Sequence, residues 1–296
     1  MVAYHLQQVK EKCMIRLCAF ADEADPTLKG QIDALTRHGI SYIELRGIDG
    51  KNISLVTEEE ARGYKRMLDE AGIAVWSIGS PIGKVKISDD MNTHFALLHH
   101  ICKLARIFGC DKIRMFSFYE AYEQEALVIF TLRKMVQIAA SYGVFLYHEN
   151  EKEIYGDTLE RVLRLQQAVE GLRFIYDPAN FIECGEDPKV TLDALFPHVS
   201  YFHIKDALWD SKAIVPAGYG AGRIADLVSK IGEQNVVLTV EPHLMVFEGY
   251  HAFDKTEMQH AFCFQNNHEA FDAAVGALKG ILLEAGYTEQ LGGFVR

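Results

Sequence analysis

A closed (β/α)8 barrel is the fold class that the sequence predicts, and three observations predict it. Eight short β-rich runs alternate along the chain with eight longer stretches whose apolar residues recur every three or four positions. The short runs are almost continuously apolar, as expected of parallel strands covered by helices rather than strands with one wet face. The length, 296 residues of which 49% are hydrophobic, suits eight βα units around a large core. An open doubly wound sheet is the weaker alternative, because no G-x-G-x-x-G follows the first run. No linker rich in Pro, Ser or Gly divides the chain, so residues 1–296 are read as one barrel domain with a short N-terminal extension, 1–12.

The elements follow in order. "MVAYHLQQVKEKC" lacks the apolar stretch of a secretory leader, and the first strand, "MIRLCAF", is far too short to span a bilayer. Helical spacing then runs through "TLKGQIDALTRHG", the second strand is "SYIELR", and "TEEEARGYKRMLDEAG" leads to the third, "AVWSIGS". "MNTHFALLHHICKLARIFG" precedes "KIRMFSF", and "EQEALVIFTLRKMVQIAASYG" precedes "VFLYHEN". The last three strands, "LRFIYDP", "VSYFHIK" and "VVLTVEPH", are separated by "DTLERVLRLQQAVEG", "KVTLDALFPH" and "RIADLVSKIGE", and "NHEAFDAAVGALKGILLEAG" closes the chain's helical pattern. Gly39, Gly72, Gly109, Gly143, Gly171 and Gly286 stand where a left-handed residue ends a helix and turns the chain toward a strand.

Charge and cysteine content exclude several functions. A net charge of −11 repels polyanions, so nucleic acid is not an expected partner. Six cysteines, at 13, 18, 102, 110, 184 and 263, form no C-x-x-C pair and read as buried thiols in a reducing cytoplasm.

The chemistry is concentrated at strand ends. A (β/α)8 barrel gathers the C-terminal ends of its strands at one mouth. The fifth strand ends in "LYHEN" with Glu149, the sixth in "IYDPAN" with Asp177, the seventh in "YFHIKD" with His203 and the eighth in "TVEPH" with Glu241. Each lies about one βα unit from the next, so the four become neighbours around half the rim. Three crowded carboxylates repel one another and raise their own pKa values unless a cation neutralises them. One divalent metal ion is therefore expected. Carboxylate oxygens with one imidazole and no thiolate suit manganese best, with magnesium, cobalt or zinc also admissible.

"CAFADEAD", "HEN", "DPAN", "HIKD" and "EPH", in that order, resemble the xylose isomerase-like TIM barrels, in particular the sugar phosphate isomerase/epimerase family, and the resemblance covers most of the chain. It implies that Glu149, Asp177, His203 and Glu241 are the metal-binding quartet and that the two glutamates are the catalytic acid/base pair. The pattern departs where related ketose epimerases carry a histidine and an arginine; Asn180 and Trp209 stand there instead.

Other residues near the mouth are read as flanking groups. His148, Asn180, Lys205, Trp209, Lys84 and Glu44 are candidates to bind substrate, with Asp206 and His243 beside the ligands and Arg46 and Ser80 at the second and third strand ends. Phe116 and Phe118, like Trp209, are candidate faces for a sugar's C–H surface. "GSPIGK" is not a Walker loop, since three residues separate its glycines and Val85 follows Lys84. In "PAGYGAGRI", Gly218, Gly220, Gly222 and Arg223 read equally as a phosphate cradle or a tight turn. Histidines 94, 99 and 100 are expected to be structural, and the connection 244–265 is expected to be a lid or a subunit contact, which admits a homo-oligomer.

The functional expectation is a metal-dependent isomerase/epimerase acting on a small sugar or sugar phosphate through a metal-stabilised enediolate, with no nucleic acid or membrane as partner. The same proton abstraction followed by loss of a β-hydroxyl gives a dehydratase of a keto-inositol or dehydroshikimate-like substrate. A non-catalytic carbohydrate-binding protein is the alternative from another class. A metal-dependent endonuclease would need more metals and more histidine ligands than this acidic chain offers.

Overall fold

The computed structural model describes residues 14–245 and 262–296. The extension 1–12 and most of the segment 244–265 lie outside the described residues.

Eight parallel strands close into a barrel: β1 Met14–Ala19, β2 Tyr42–Leu45, β3 Ala74–Gly79, β4 Lys112–Met115, β5 Phe145–Glu149, β6 Arg173–Tyr176, β7 Tyr201–Ile204 and β8 Val236–Val240. Closure is made by β8 pairing in parallel with β1, from Ile15 opposite Val236 to Ala19 opposite Val240. All eight predicted strands are present, each one to three residues shorter than its apolar run.

Helices α1 Leu28–Arg37, α2 Glu58–Glu70, α3 Met91–Phe108, α4 Glu125–Ser141 and α5 Leu159–Ala168 return the chain between the first six strands. Between β6 and β7 run two short helices, α6 Pro178–Glu183 and α7 Pro188–Leu195, and α8 Ile224–Ile231 and α9 Asn267–Glu284 flank β8. Their starts follow local chemistry: Thr57 and Glu60 form a reciprocal capping box on α2, and Thr27, Asp90, Thr158, Asp187 and Asn266 each cap a backbone N–H. All six glycines read as helix closers have positive φ, from 65° at Gly39 to 86° at Gly286.

The core lies mainly between barrel and helices. From α3 alone, Leu98, Ile101, Cys102, Leu104, Ala105 and Phe108 are buried; each leucine or isoleucine so buried contributes ~1.5–3 kcal/mol relative to exposure. A smaller cluster of Cys18, Tyr147, Ile175, Tyr201 and Val237 packs inside the barrel and forms the floor beneath the mouth. A C-terminal hairpin, Thr288–Gln290 with Gly293–Val295, adds an antiparallel partner at the start of β1. Histidines 94, 99 and 100 are structural as expected. They meet the Gly83 N–H, the Tyr142 hydroxyl and the Val56 carbonyl.

Candidate metal centre and proton-transfer site

Strand alternation decides which residues enter the barrel. On β7, Tyr201 joins the floor; two residues on, His203 stands above it; two further on, Lys205 reaches the mouth. Thr239 on β8 with Glu241 just past its end, Ile175 on β6 with Asp177 just past its end, and Tyr147 and Glu149 on β5 follow the same rule. Glu149, Asp177, His203 and Glu241 thus bring one ligand atom each within 4.8 Å of one another, and all four are buried. Asp177 is also the N-cap of α6, with Pro178 at the first helical position, so its Oδ1 accepts from the Asn180 N–H at 3.1 Å and its Oδ2 is turned into the cluster.

His203 is held from both sides. Its Nε2 lies 3.2 Å from Glu44 Oε2, while Nδ1 faces Glu149 Oε1 at 2.6 Å and Glu241 Oε2 at 3.3 Å. The Phe20 ring packs edge-on against it at 5.2 Å. Glu44 accepts further from Tyr201 and Thr239, both at 3.3 Å, beneath the imidazole. An Nε2–H donated to Glu44 leaves Nδ1 as the nitrogen facing the other ligands, the arrangement by which a carboxylate orients a metal-binding histidine.

The two glutamates are each anchored by an arginine. Arg114 donates to Glu149 Oε2 at 3.0 Å, and Arg46 lies 3.4 Å from Glu241 Oε1. Each glutamate therefore keeps one oxygen, Glu149 Oε1 and Glu241 Oε2, on the inner side. The arginines flank Phe20, with Cζ 4.5 and 5.4 Å from the ring centroid. Gly79 makes the space: a Cβ there would lie 2.8 Å from Phe20 and 3.1 Å from Arg114.

The other candidate residues are distributed unevenly. Lys205 joins the quartet, with Nζ 3.1 Å from Asp177 Oδ2 and 3.6 Å from Glu241 Oε2. Glu44 lies under His203 and orients it. Asn180 donates to the Asn150 carbonyl at 2.8 Å, and the Asn150 side chain bonds both the N–H and the C=O of Asp177; these amides fasten the ends of β5 and β6 together. Lys84 pairs with Glu151 at 3.1 Å and stands over Phe116 at the rim. Phe116 and Phe118 are buried. His148 is a correction to the substrate-binding expectation: the alternation that sends Glu149 inward turns His148 outward, where it meets Ser117 Oγ at 2.9 Å and packs on Phe174. Trp209 lies exposed beyond the end of β7 with Lys212 over its ring.

Of the two readings of the glycine-rich stretch, the tight turn is the one observed. The N–H groups of Gly218, Gly220 and Gly222 do form an anion nest, but the Asp206 carboxylate fills it at 2.9, 3.1 and 2.7 Å. A phosphate has no amides left to receive it there, and Arg223 pairs with Asp226.

Three residues of the site escaped the sequence reading. Asp22 and Glu23 follow β1 and grip Arg46, whose guanidinium lies 2.9 Å from each; the string "CAFADEAD" contained them without showing their partner. For Arg114 the overlooked signal is its place as the inward-phase charge of "KIRMFSF". Glu23, Glu241 and His243 form a second group of ligand type, yet Arg46 already brings positive charge to both glutamates.

Electrostatics separate the carboxyls. Burial disfavours charge on all of them. His203 and Arg114 nonetheless hold Glu149 below the usual carboxylate range, and Lys205 with His243 holds Glu241 well below it. For Asp177, burial and the charges of Glu241 and Glu149 outweigh Lys205, and its carboxyl is pushed up to about 8. Although burial opposes it, the charges of Glu149 and Glu44 hold His203 well above the ordinary imidazole range. The donor set fits a divalent cation: oxygen-rich, converging, and with Asp177 Oδ2 and Glu241 Oε2 buried without a directed hydrogen bond. Burial also pushes the thiols of Cys102 and Cys110 up to about 12, so neither competes as a soft ligand.

A family model for the xylose isomerase-like TIM barrel matches residues 32–244. No curated protein matches the chain by sequence. Among solved structures, the probable 3-DHS dehydratase AsbF from Bacillus anthracis superposes with TM-score 0.67 at 17% identity, covering 90% of this chain and 97% of that one. An IOLI protein with a bound zinc atom gives 0.69 at 16%, covering 91% and 99%. An L-ribulose 3-epimerase gives 0.67 at 16%, covering 93% and 97%. At such identities the likeness is one of fold. No helix among the described residues is long and apolar enough to cross a membrane.

Proposed function

The chain belongs to the xylose isomerase-like TIM barrels, and from that premise we propose that it is a divalent-metal-dependent isomerase or epimerase of a small sugar or sugar phosphate. The observation that carries this reading is the matched pair of glutamates, each backed by an arginine and each presenting one buried oxygen toward His203. Proton transfer between carbons needs one group to take the proton and one to return it, and two glutamate oxygens facing one centre can supply both.

Glu149, Asp177, His203 and Glu241 would hold the ion, with manganese the preferred occupant of this oxygen-rich set. A divalent cation there supplies electrostatic stabilisation for negative charge developing on neighbouring substrate oxygens. The chain's own groups do the rest. Arg114 keeps Glu149 oriented and ionised, Glu44 fixes the His203 ring, and Glu149 takes a proton from a substrate carbon while Glu241 returns one at the adjacent face or carbon. We read residues 1–296 as one barrel domain working in the cytoplasm.

A dehydratase of a keto-inositol or dehydroshikimate-like substrate is the second reading. Lys205 favours it, because a buried ammonium beside Glu241 is placed to protonate a departing hydroxyl, and the superposition with a probable 3-DHS dehydratase agrees. Incubation of the manganese-loaded protein with sugars, sugar phosphates and cyclic keto-polyols in D2O, read by mass spectrometry, tests both. Deuterium gained without loss of water marks an isomerase or epimerase, and loss of water marks the dehydratase. No change in any substrate under metal-replete conditions would refute both.

A further inference from the structure

Lys205 occupies an unusual position for a cation in a site of metal-binding type. Its ammonium lies 3.1 Å from Asp177 Oδ2 and 3.6 Å from Glu241 Oε2. Both oxygens are buried, and neither accepts a directed hydrogen bond. Every other oxygen of the three quartet carboxylates has a fixed partner: Asp177 Oδ1 takes the Asn180 N–H, Glu241 Oε1 faces Arg46, and the two oxygens of Glu149 face Arg114 and His203. Of the quartet's inward oxygens, those of Asp177 and Glu241 are the two without a directed hydrogen bond, and Lys205 sits on both.

Resting on the metal reading above, we propose that Lys205 and the divalent cation are alternative partners of Asp177 and Glu241, so that metal binding displaces the ammonium toward the mouth and presents it to the substrate. Two positive charges cannot share one pair of carboxylate oxygens in a buried site without strong repulsion. The four-carbon stem gives the ammonium somewhere to go. Lys205 is 7% exposed at the rim, and Glu151 and Glu183 stand near enough to act on its charge. The device couples loading of the site to delivery of a cation suited to a substrate oxyanion, carboxylate or departing hydroxyl.

The test is manganese affinity, measured by competition with a fluorescent chelator on chelator-stripped protein, together with the thermal midpoint before and after loading. Lys205→Met should bind manganese about tenfold more tightly than wild type. It should melt lower without the ion and gain more from it. Lys84→Met controls for general charge at the mouth and should change affinity far less. Wild-type protein gives a measurement free of any folding defect: manganese should raise the acylation rate of Lys205 in peptide-mapped lysine labelling several-fold. Unchanged or weaker binding in Lys205→Met, an equal gain in Lys84→Met, or labelling of Lys205 that manganese leaves constant would overturn the proposal while leaving the metal site intact. Failure of wild type and both variants to bind manganese would overturn the metal reading with it.

Discussion

His203 has carboxylates at both ring nitrogens, and each nitrogen has a separate task. Glu44, 3.2 Å from Nε2 and buried, fixes the ring so that Nδ1 faces Glu149 and Glu241. Glu44→Gln removes that charge with little change of shape, and manganese affinity should fall by about 10–100-fold, read by chelator competition. Glutamine at 149 or 241 keeps one oxygen but accepts no proton at neutral pH. Glu149→Gln and Glu241→Gln should each lower turnover at saturating manganese by about 10²–10⁴-fold while losing far less in substrate binding, measured by kinetics beside equilibrium titration. The pH dependence of metal binding follows from the shifted groups. Asp177, pushed up to about 8, and His203, held above its ordinary range, carry protons at neutral pH that binding must release. Affinity should therefore rise as pH increases through about 8, with proton release seen in calorimetry buffers of different ionisation enthalpy. Glu149 and Glu241, held low, are ionised throughout that window and add no slope.

The elements that deliver these residues are specified by short-range chemistry. Asp177 caps α6 in the same conformation that turns its second oxygen into the site. The loop 216–223 is built around Asp206, two residues after Ile204 and next to Lys205, so its glycines act on the end of β7. A Cβ on Gly220 would lie 2.3 Å from Asp206 Oδ1 and 2.5 Å from the Ala207 carbonyl. Gly220→Ala should cost on the order of 1–3 kcal/mol and weaken manganese binding by shifting that strand end. The opposite sign is expected on α9, where a Cβ at Gly276 or Gly280 meets nothing within 4 Å. Each change to alanine should stabilise by roughly 0.5–1 kcal/mol, seen as a higher denaturant midpoint.

For the whole molecule, what the sequence reveals depends on the distance over which each feature is specified. Strands and helices were legible because apolar runs, three- and four-residue spacing and closing glycines are local signals. The quartet was legible because strand ends converge once a barrel is assumed, which made "HEN", "DPAN", "HIKD" and "EPH" neighbours before any coordinate was known. Contacts between elements were not legible. Asp22 and Glu23 meet Arg46 only when the ends of β1 and β2 come together, the Asp206 carboxylate fills a nest ten or more residues further along, and nothing local to "LYHEN" tells that His148 faces Ser117. The hairpin at Thr288–Val295 found its partner at Met14 and Ile15, at the other end of the chain. Four distant strand ends that form one cation site should be visible in a crystal soaked in manganese and measured for anomalous scattering. One peak bounded by Glu149, Asp177, His203 and Glu241 is the predicted result; a soaked wild-type crystal with no anomalous density among those four side chains would contradict it.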